Sequence, residues 1–263
     1  MTRAAGCQPA LHAMLGVFLG STLHFMSYLF LVRHGQASFL EPDYDKLSAK
    51  GEAQSRMLGE YWAQQRMVFD RAYSGPRVRQ RETARIVGDI FKKAGLAWPE
   101  VEIRDEFDEF QAETVMERAV PPLVESDQHV HALHHAYQNA DGREQKFKTF
   151  QKLFEVVIDR WAEGELVVPG IEPWVAFRAR VQEGLSRLVN GSKGQCVVVF
   201  SSGGPIGVAM QKALRLSTGA TLRCAWMMRN AAFSEFLFSK DRFTLSSYNS
   251  YPHLTQPGFI TYR

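Results

Sequence analysis

Ser27-Tyr28-Leu29-Phe30-Leu31-Val32-Arg33-His34-Gly35-Gln36 is the stretch whose reading decides the fold. Its first six residues form an aromatic and aliphatic run of buried-strand type. The run delivers an arginine, an imidazole and a glycine to the strand's carboxyl end. In open α/β sheets ligands sit outside the carboxyl ends of the strands, so this is where chemistry is expected. Gly35 lets the chain turn sharply beside the ring.

On the carboxyl side, Leu47-Ser48 opens a helical pattern, with Ser48 able to cap it. Ala53, Met57 and Tyr61 recur there at four-residue spacing beside Leu58 and Trp62. This helix is expected to end near Arg66. Phe69 to Tyr73 reads as a second strand, and Ser74-Gly75-Pro76 as a cap followed by Pro in the first turn. The next helix runs to Gly95 and should bury Ala84, Val87, Ile90, Phe91 and Ala94. Val101 to Arg104 is a third strand. Residues 113–170 contain Pro121-Pro122, four histidines and an amphipathic pattern around Phe147, Phe150, Phe154 and Val157, which indicates a helical insertion. A helix from Pro173 places Trp174, Phe177, Val181, Leu185 and Leu188 on one face and stops at Asn190-Gly191. Cys196 to Phe200 is another buried strand, turned by Ser201-Ser202-Gly203-Gly204-Pro205 into a helix ending near Leu216. Phe233 to Phe238 and Phe243 to Tyr248 complete the strands. The alternation indicates an α/β fold with a mainly parallel sheet.

On the amino side, Leu11 to Val32 is largely apolar but interrupted by His12, Ser21, Thr22, His24 and Ser27. Its longest unbroken stretch, Ala13 to Gly20, is too short to span a bilayer. Residues 1–25 read as an extension outside the fold, of the kind an over-early start codon would add. A cleaved or anchoring leader is the alternative. Residues 26–263 then form a single domain.

The chain of 263 residues carries 31 Lys+Arg against 28 Asp+Glu, a formal net charge of +3. That balance argues against binding nucleic acid or membrane through bulk charge. Its three cysteines are too scattered for a disulfide framework or a metal knuckle, which makes a cytoplasmic location the default.

Three strand ends converge on anion chemistry: Arg33-His34-Gly35, Ser74-Gly75-Pro76-Arg77-Val78-Arg79 and Ser201-Ser202-Gly203-Gly204-Pro205. Guanidinium forks match phosphate oxygens and stay charged at any working pH. Neutral imidazole can attack phosphorus once a hydrogen bond fixes its tautomer. Backbone amides at a glycine-rich helix start add further donors. Ser202 could instead cap that helix, and without a G-x-S-x-G elbow it does not read as a hydrolase nucleophile.

With these residues the chain resembles the histidine phosphatase superfamily, also called phosphoglycerate mutase-like. The resemblance lies in Leu31-Val32-Arg33-His34-Gly35-Gln36-Ala37-Ser38, in Tyr44-Asp45-x-Leu47-Ser48-x-x-Gly51-x-x-Gln54, and in Ser74-x-Pro76-x-x-Arg79-x-x-x-Thr83-Ala84. It continues through Val197 to Ile206 and Asn230 with its following strand, covering residues 27–110 and 172–248. It implies a three-layer fold with helices on both sheet faces. It also implies His34 as the nucleophile that becomes phosphohistidine, and Arg33, Arg79, Ser202 and Gly203 as the phosphate pocket. Glu109 would be the general acid, with Glu106 as second choice.

Ser202 stands where most members have a second pocket histidine, which implies slower turnover or a substrate that supplies the missing charge. Leu40 and Phe110-Gln111-Ala112-Glu113 depart from the mutase branch. The expected activity is hydrolysis of a small phosphomonoester without metal or cofactor, with a homodimer left open. A phosphoryl-binding or scaffold module is the alternative, and a phosphomutase the weaker one. Asp127, His131 and His135, with His129 and His134 nearby, lie at helical spacing that could hold zinc or nickel. A polar helix face opposite Val130, Leu133 and Tyr137 is the plainer reading. A histidine from this cluster folding over the pocket in place of the missing one is a further possibility.

Overall fold

The structure is a computed structural model and describes residues 27–38, 45–191 and 194–262. The expectations for residues 1–25, Leu40 and Tyr44 therefore lie outside the described residues. Six strands form one sheet in the order β3-β2-β4-β1-β5-β6. They are β1 (Ser27–Arg33), β2 (Arg71–Ser74), β3 (Val101–Ile103), β4 (Cys196–Ser201), β5 (Phe233–Ser239) and β6 (Arg242–Ser250). The first four run parallel, while β5 and β6 form an antiparallel hairpin beside β1.

Period-two alternation on β1 and β4 splits the core in two, because successive side chains point to opposite faces. Tyr28, Phe30, Val32, Val198 and Phe200 face helices α1 (Ala49–Gln64) and α2 (Val78–Lys93). Leu29, Leu31, Val197 and Val199 face the opposite layer. That layer contains α3 (Ala112–Ser126), α4 (Gln128–Gln138), α5 (Gly142–Glu163), α6 (Trp174–Gly191), α7 (Gly203–Leu214) and α8 (Thr218–Met227). The protein is thus a three-layer α/β fold with helices on both faces, and the segment expected to be helical between β3 and α6 forms α3 to α5.

Several local expectations shift. The buried stripe of α1 is Gln54, Ser55, Leu58 and Trp62, one position round from Ala53, Met57 and Tyr61. Of the polar members, Gln54 accepts from the Gln36 amide in the loop after β1, and the Ser55 hydroxyl donates back to the Gly51 carbonyl within the helix. α2 begins after Arg77 rather than at Pro76, so Pro76 precedes the cap. On α2 Ile90 is only half-buried, and Ala94, just past the helix end, is exposed. On α5, Leu153, Val157, Ile158 and Trp161 form the buried stripe, while Phe147 is exposed. α6 buries all five expected residues. α8 had no expectation: it is short and opens on a serine cap, with Ser217 accepting from the Ala220 amide. Among the described residues no helix is long and apolar enough to cross a membrane.

Candidate active site

His34 follows β1 directly and is nearly buried, at 5% exposure. Its amide donates to the Ser201 carbonyl at 2.9 Å, which ties the turn to the end of β4. Gly35 lies against α1: a Cβ there would come 2.3 Å from the Gly51 carbonyl oxygen, and one on Gly51 would come 2.1 Å from the Gln36 oxygen. The two glycines therefore allow a backbone approach that no side chain permits. Gln54 Oε1 accepts from the Gln36 amide at 2.9 Å, and Ser48 Oγ accepts from the Gly51 amide at 3.1 Å.

The partners of the His34 ring settle its tautomer. Nδ1 lies 2.7 Å from the Gly35 carbonyl, which can only accept, so Nδ1 carries the proton. Nε2 faces Arg79 Nε at 3.2 Å, which can only donate, so Nε2 carries a lone pair. Burial, then Arg79, then Arg33, hold the imidazole well below its ordinary pKa of 6.5. The ring is neutral, with a nucleophile-competent nitrogen aimed at a guanidinium. Arg79 also binds Asp45, Nη1 to Oδ1 at 2.8 Å, while Asp45 Oδ2 accepts from the Val78 amide at 2.9 Å. A carboxylate of the chain thus rests on an arginine and a helix start, the two donors an anionic ligand would use. Arg33 donates through Nη1 to the Met228 carbonyl.

Glu109 lies in the segment between β3 and α3, fixed by two buried anchors, Phe107 and Phe110. Phe110 stacks on Trp161 at 5.3 Å and meets Phe177 edge-on at 5.5 Å. Oε2 accepts from the Gly204 amide at 3.1 Å and Oε1 from its neighbour Phe110 at 3.0 Å. Burial raises its pKa above 4.5, against the opposing pull of Gly204, Arg79, Phe110 and Arg33. This is a carboxyl biased toward holding a proton beside two arginines. Glu106 points elsewhere: it pairs with Arg187 at 2.8 Å on α6.

Ser202 is fully buried at the start of α7, but its side chain makes no capping hydrogen bond. Gly203 has a packing reason to be glycine, since a Cβ there would sit 2.9 Å from the Ala225 oxygen on α8. The Gly204 amide is occupied by Glu109.

The histidine-rich helix forms no metal cluster among the described residues. Asp127 caps α4 and pairs with Arg160 at 2.7 Å, His131 meets the Val124 carbonyl and His134 meets Gln138. These contacts are local to helices α3 to α5. Sequence reading missed the Asp45 contact with Arg79, although Asp45 stood in a recognised block. It also missed Gln80, and the tie from Gln54 Nε2 to Phe259 and Thr261 near the carboxyl end.

The family model of the histidine phosphatase superfamily, branch 1, matches residues 29–165 and 143–251. The chain belongs to this superfamily. No curated protein matches it. Solved structures of histidine phosphatase type share the fold at low identity. A phosphoglycerate mutase from Bacillus anthracis is 16% identical, covers 87% of this chain and 95% of its own, and has a TM-score of 0.55. A phosphoserine phosphatase from Entamoeba histolytica, in complex with 3-phosphoglyceric acid, is 19% identical over 87% and 99%, with a TM-score of 0.56. A mycobacterial glucosyl-3-phosphoglycerate phosphatase is 18% identical over 86% and 99%, with a TM-score of 0.55. Within this histidine phosphatase fold, Arg33 and His34 at the end of β1, Arg79 on α2 and Glu109 before α3 come from three separate segments, and both arginines act electrostatically on His34 and on Glu109.

Proposed function

We propose that the protein is a cofactor-independent phosphomonoesterase working through His34. The observation that carries this reading is the neutral His34 ring, its Nε2 lone pair facing Arg79 and its Nδ1 proton held by Gly35. Arg79 and Arg33 bind the phosphoryl oxygens, and Arg79 Nε leaves Nε2 for the incoming anion. Nε2 attacks phosphorus, and the P–O ester bond breaks as Glu109 gives its proton to the leaving oxygen. Water then attacks the phosphohistidine while the Glu109 carboxylate takes its proton. The N–P bond breaks and phosphate leaves. Ser202 donates a neutral hydrogen bond to the phosphoryl group.

A second reading, favoured by the uncharged Ser202, is a phosphoryl-binding module with decayed turnover. Steady-state phosphate release from an aryl and an alkyl phosphate, beside calorimetric binding of inorganic phosphate, separates the two. Turnover with water as acceptor supports the enzyme. Binding without turnover on a broad panel of phosphate esters would overturn it.

The acid's position gives a mutational test. A Cβ on Gly204 would come 2.1 Å from Glu109 Oε1 and 2.8 Å from the Phe110 ring. Gly204→Ala is therefore expected to displace the carboxylate and lower kcat about 100-fold, the scale of a lost general acid. Inorganic phosphate affinity should change far less. Unaltered kcat in a folded variant would remove Glu109 from the mechanism.

A further inference from the structure

Gln80 follows Arg79 on α2 and is fully buried. Its carboxamide makes three hydrogen bonds: Oε1 accepts from the Arg77 amide at 3.1 Å, and Nε2 donates to the Phe107 carbonyl at 3.3 Å and to Ser202 Oγ at 2.8 Å. The backbone partners fix its orientation. An amide N–H can only donate and a carbonyl can only accept, so oxygen faces Arg77 and nitrogen faces Phe107 and Ser202. Ser202 Oγ is therefore an acceptor toward Gln80, and its own proton remains to be given elsewhere.

The surroundings limit where that proton goes. The Ser202 side chain does not cap α7, and its hydroxyl donates to no acceptor among the described residues. Register pairs Arg33 with Ser201, so Ser202 and His34 are the next residues past two adjacent parallel strands. The first turn of α2 then reaches both: Arg79 contacts His34 Nε2 at 3.2 Å and Gln80 contacts Ser202 Oγ. Gly75 leaves room for this amide, since a Cβ there would lie 2.2 Å from Gln80 Oε1.

We infer that Gln80 is a positioning residue: it occupies an acceptor lone pair of Ser202 Oγ and so turns the Ser202 O–H toward the phosphoryl group at His34. The inference rests on the phosphoryl-pocket reading above. A hydroxyl oriented in advance needs no reorganisation when the anion arrives, which offsets part of what an uncharged donor lacks. Gln80 acts only through Ser202, so the two residues are energetically one unit.

A double-mutant cycle tests this, with kcat/KM for p-nitrophenyl phosphate and the Kd of inorganic phosphate as readouts. Ser202→Ala is expected to lower kcat/KM about 30-fold, the scale of a hydrogen bond to a charged group. Gln80→Leu should cost about 10-fold in the wild-type background and less than about 2-fold beside Ser202→Ala. Equal losses in both backgrounds would mean that Gln80 only supports Arg77 and Phe107, and would overturn the inference. Gln80→Met, closer in shape, replaces Gln80→Leu in the cycle if the leucine variant melts early. A loss under about 3-fold for Ser202→Ala in both readouts overturns the inference whatever the Gln80 variants do. If the wild type does not turn over, the hydrolase reading falls, and the cycle in phosphate affinity still decides the inference.

Discussion

His34→Ala is expected to lower phosphate release about 10⁵-fold, the scale on which removing a nucleophile collapses a covalent mechanism. The residual rate would come from Arg33 and Arg79, which still bind and polarise the ester. Inorganic phosphate should bind the variant within about 10-fold of wild type, because the guanidinium donors remain and only a neutral ring is lost. The fold should persist, since the ring is a small part of the core and its removal leaves Arg79 on Asp45 at 2.8 Å. Rapid quench of the wild type with substrate should trap a phosphoryl group that is stable to base and labile to acid, as a phosphoramidate is. The same quench of His34→Ala should trap none. A variant retaining more than about one hundredth of the wild-type rate would show that water or another side chain attacks phosphorus.

The parts of this site that were legible in the sequence are those with local causes. β1 could be read because Tyr28 to Val32 buries both faces and ends abruptly in charge. The Ser48 cap could be read because its donor, Gly51, lies three residues on. Glu109 could be placed, over Glu106, only as a preference. What distinguishes the two in the structure is Gly204, 95 residues from Glu109, whose amide donates to the Glu109 carboxylate, while Glu106 pairs with Arg187. Gln80 was illegible for the same reason: its partner Ser202 is 122 residues distant. A glutamine in the first turn of a basic helix otherwise reads as surface. On α1 Leu58 and Trp62 of the apolar pattern are buried, but Gln54 and Ser55 take the places beside them because periodicity counts apolar residues, while Gln54 binds the loop after β1 and Ser55 donates to the Gly51 carbonyl.

Glu109→Gln should divide its effect by leaving group. With an alkyl phosphate the departing alkoxide needs a proton, and kcat/KM, which reports formation of the phosphohistidine, should fall about 10³-fold; with p-nitrophenyl phosphate, whose leaving group is stable as the anion, about 10-fold. The pH profile carries the sharper signature. Turnover requires Glu109 protonated and His34 neutral. The Glu109 pKa lies above 4.5, so its proton is kept further toward neutrality; that of His34 lies well below 6.5, so its neutral form extends further into acid. The productive population therefore declines on the alkaline side as Glu109 ionises, and that decline belongs to Glu109. In the alkyl series Glu109→Gln should abolish that decline, while any limb due to the ester's own ionisation persists in both proteins. Stability should follow with a definite sign. A carboxyl with a raised folded-state pKa stabilises fully below the unfolded value, and that contribution is lost as pH rises through the folded value. The neutral amide removes this dependence, so the melting temperature of Glu109→Gln relative to wild type should be more favourable at pH 8 than at pH 4.5. An alkaline limb unchanged by the substitution would assign the acid to another group, and with it the reason for the Gly204 contact.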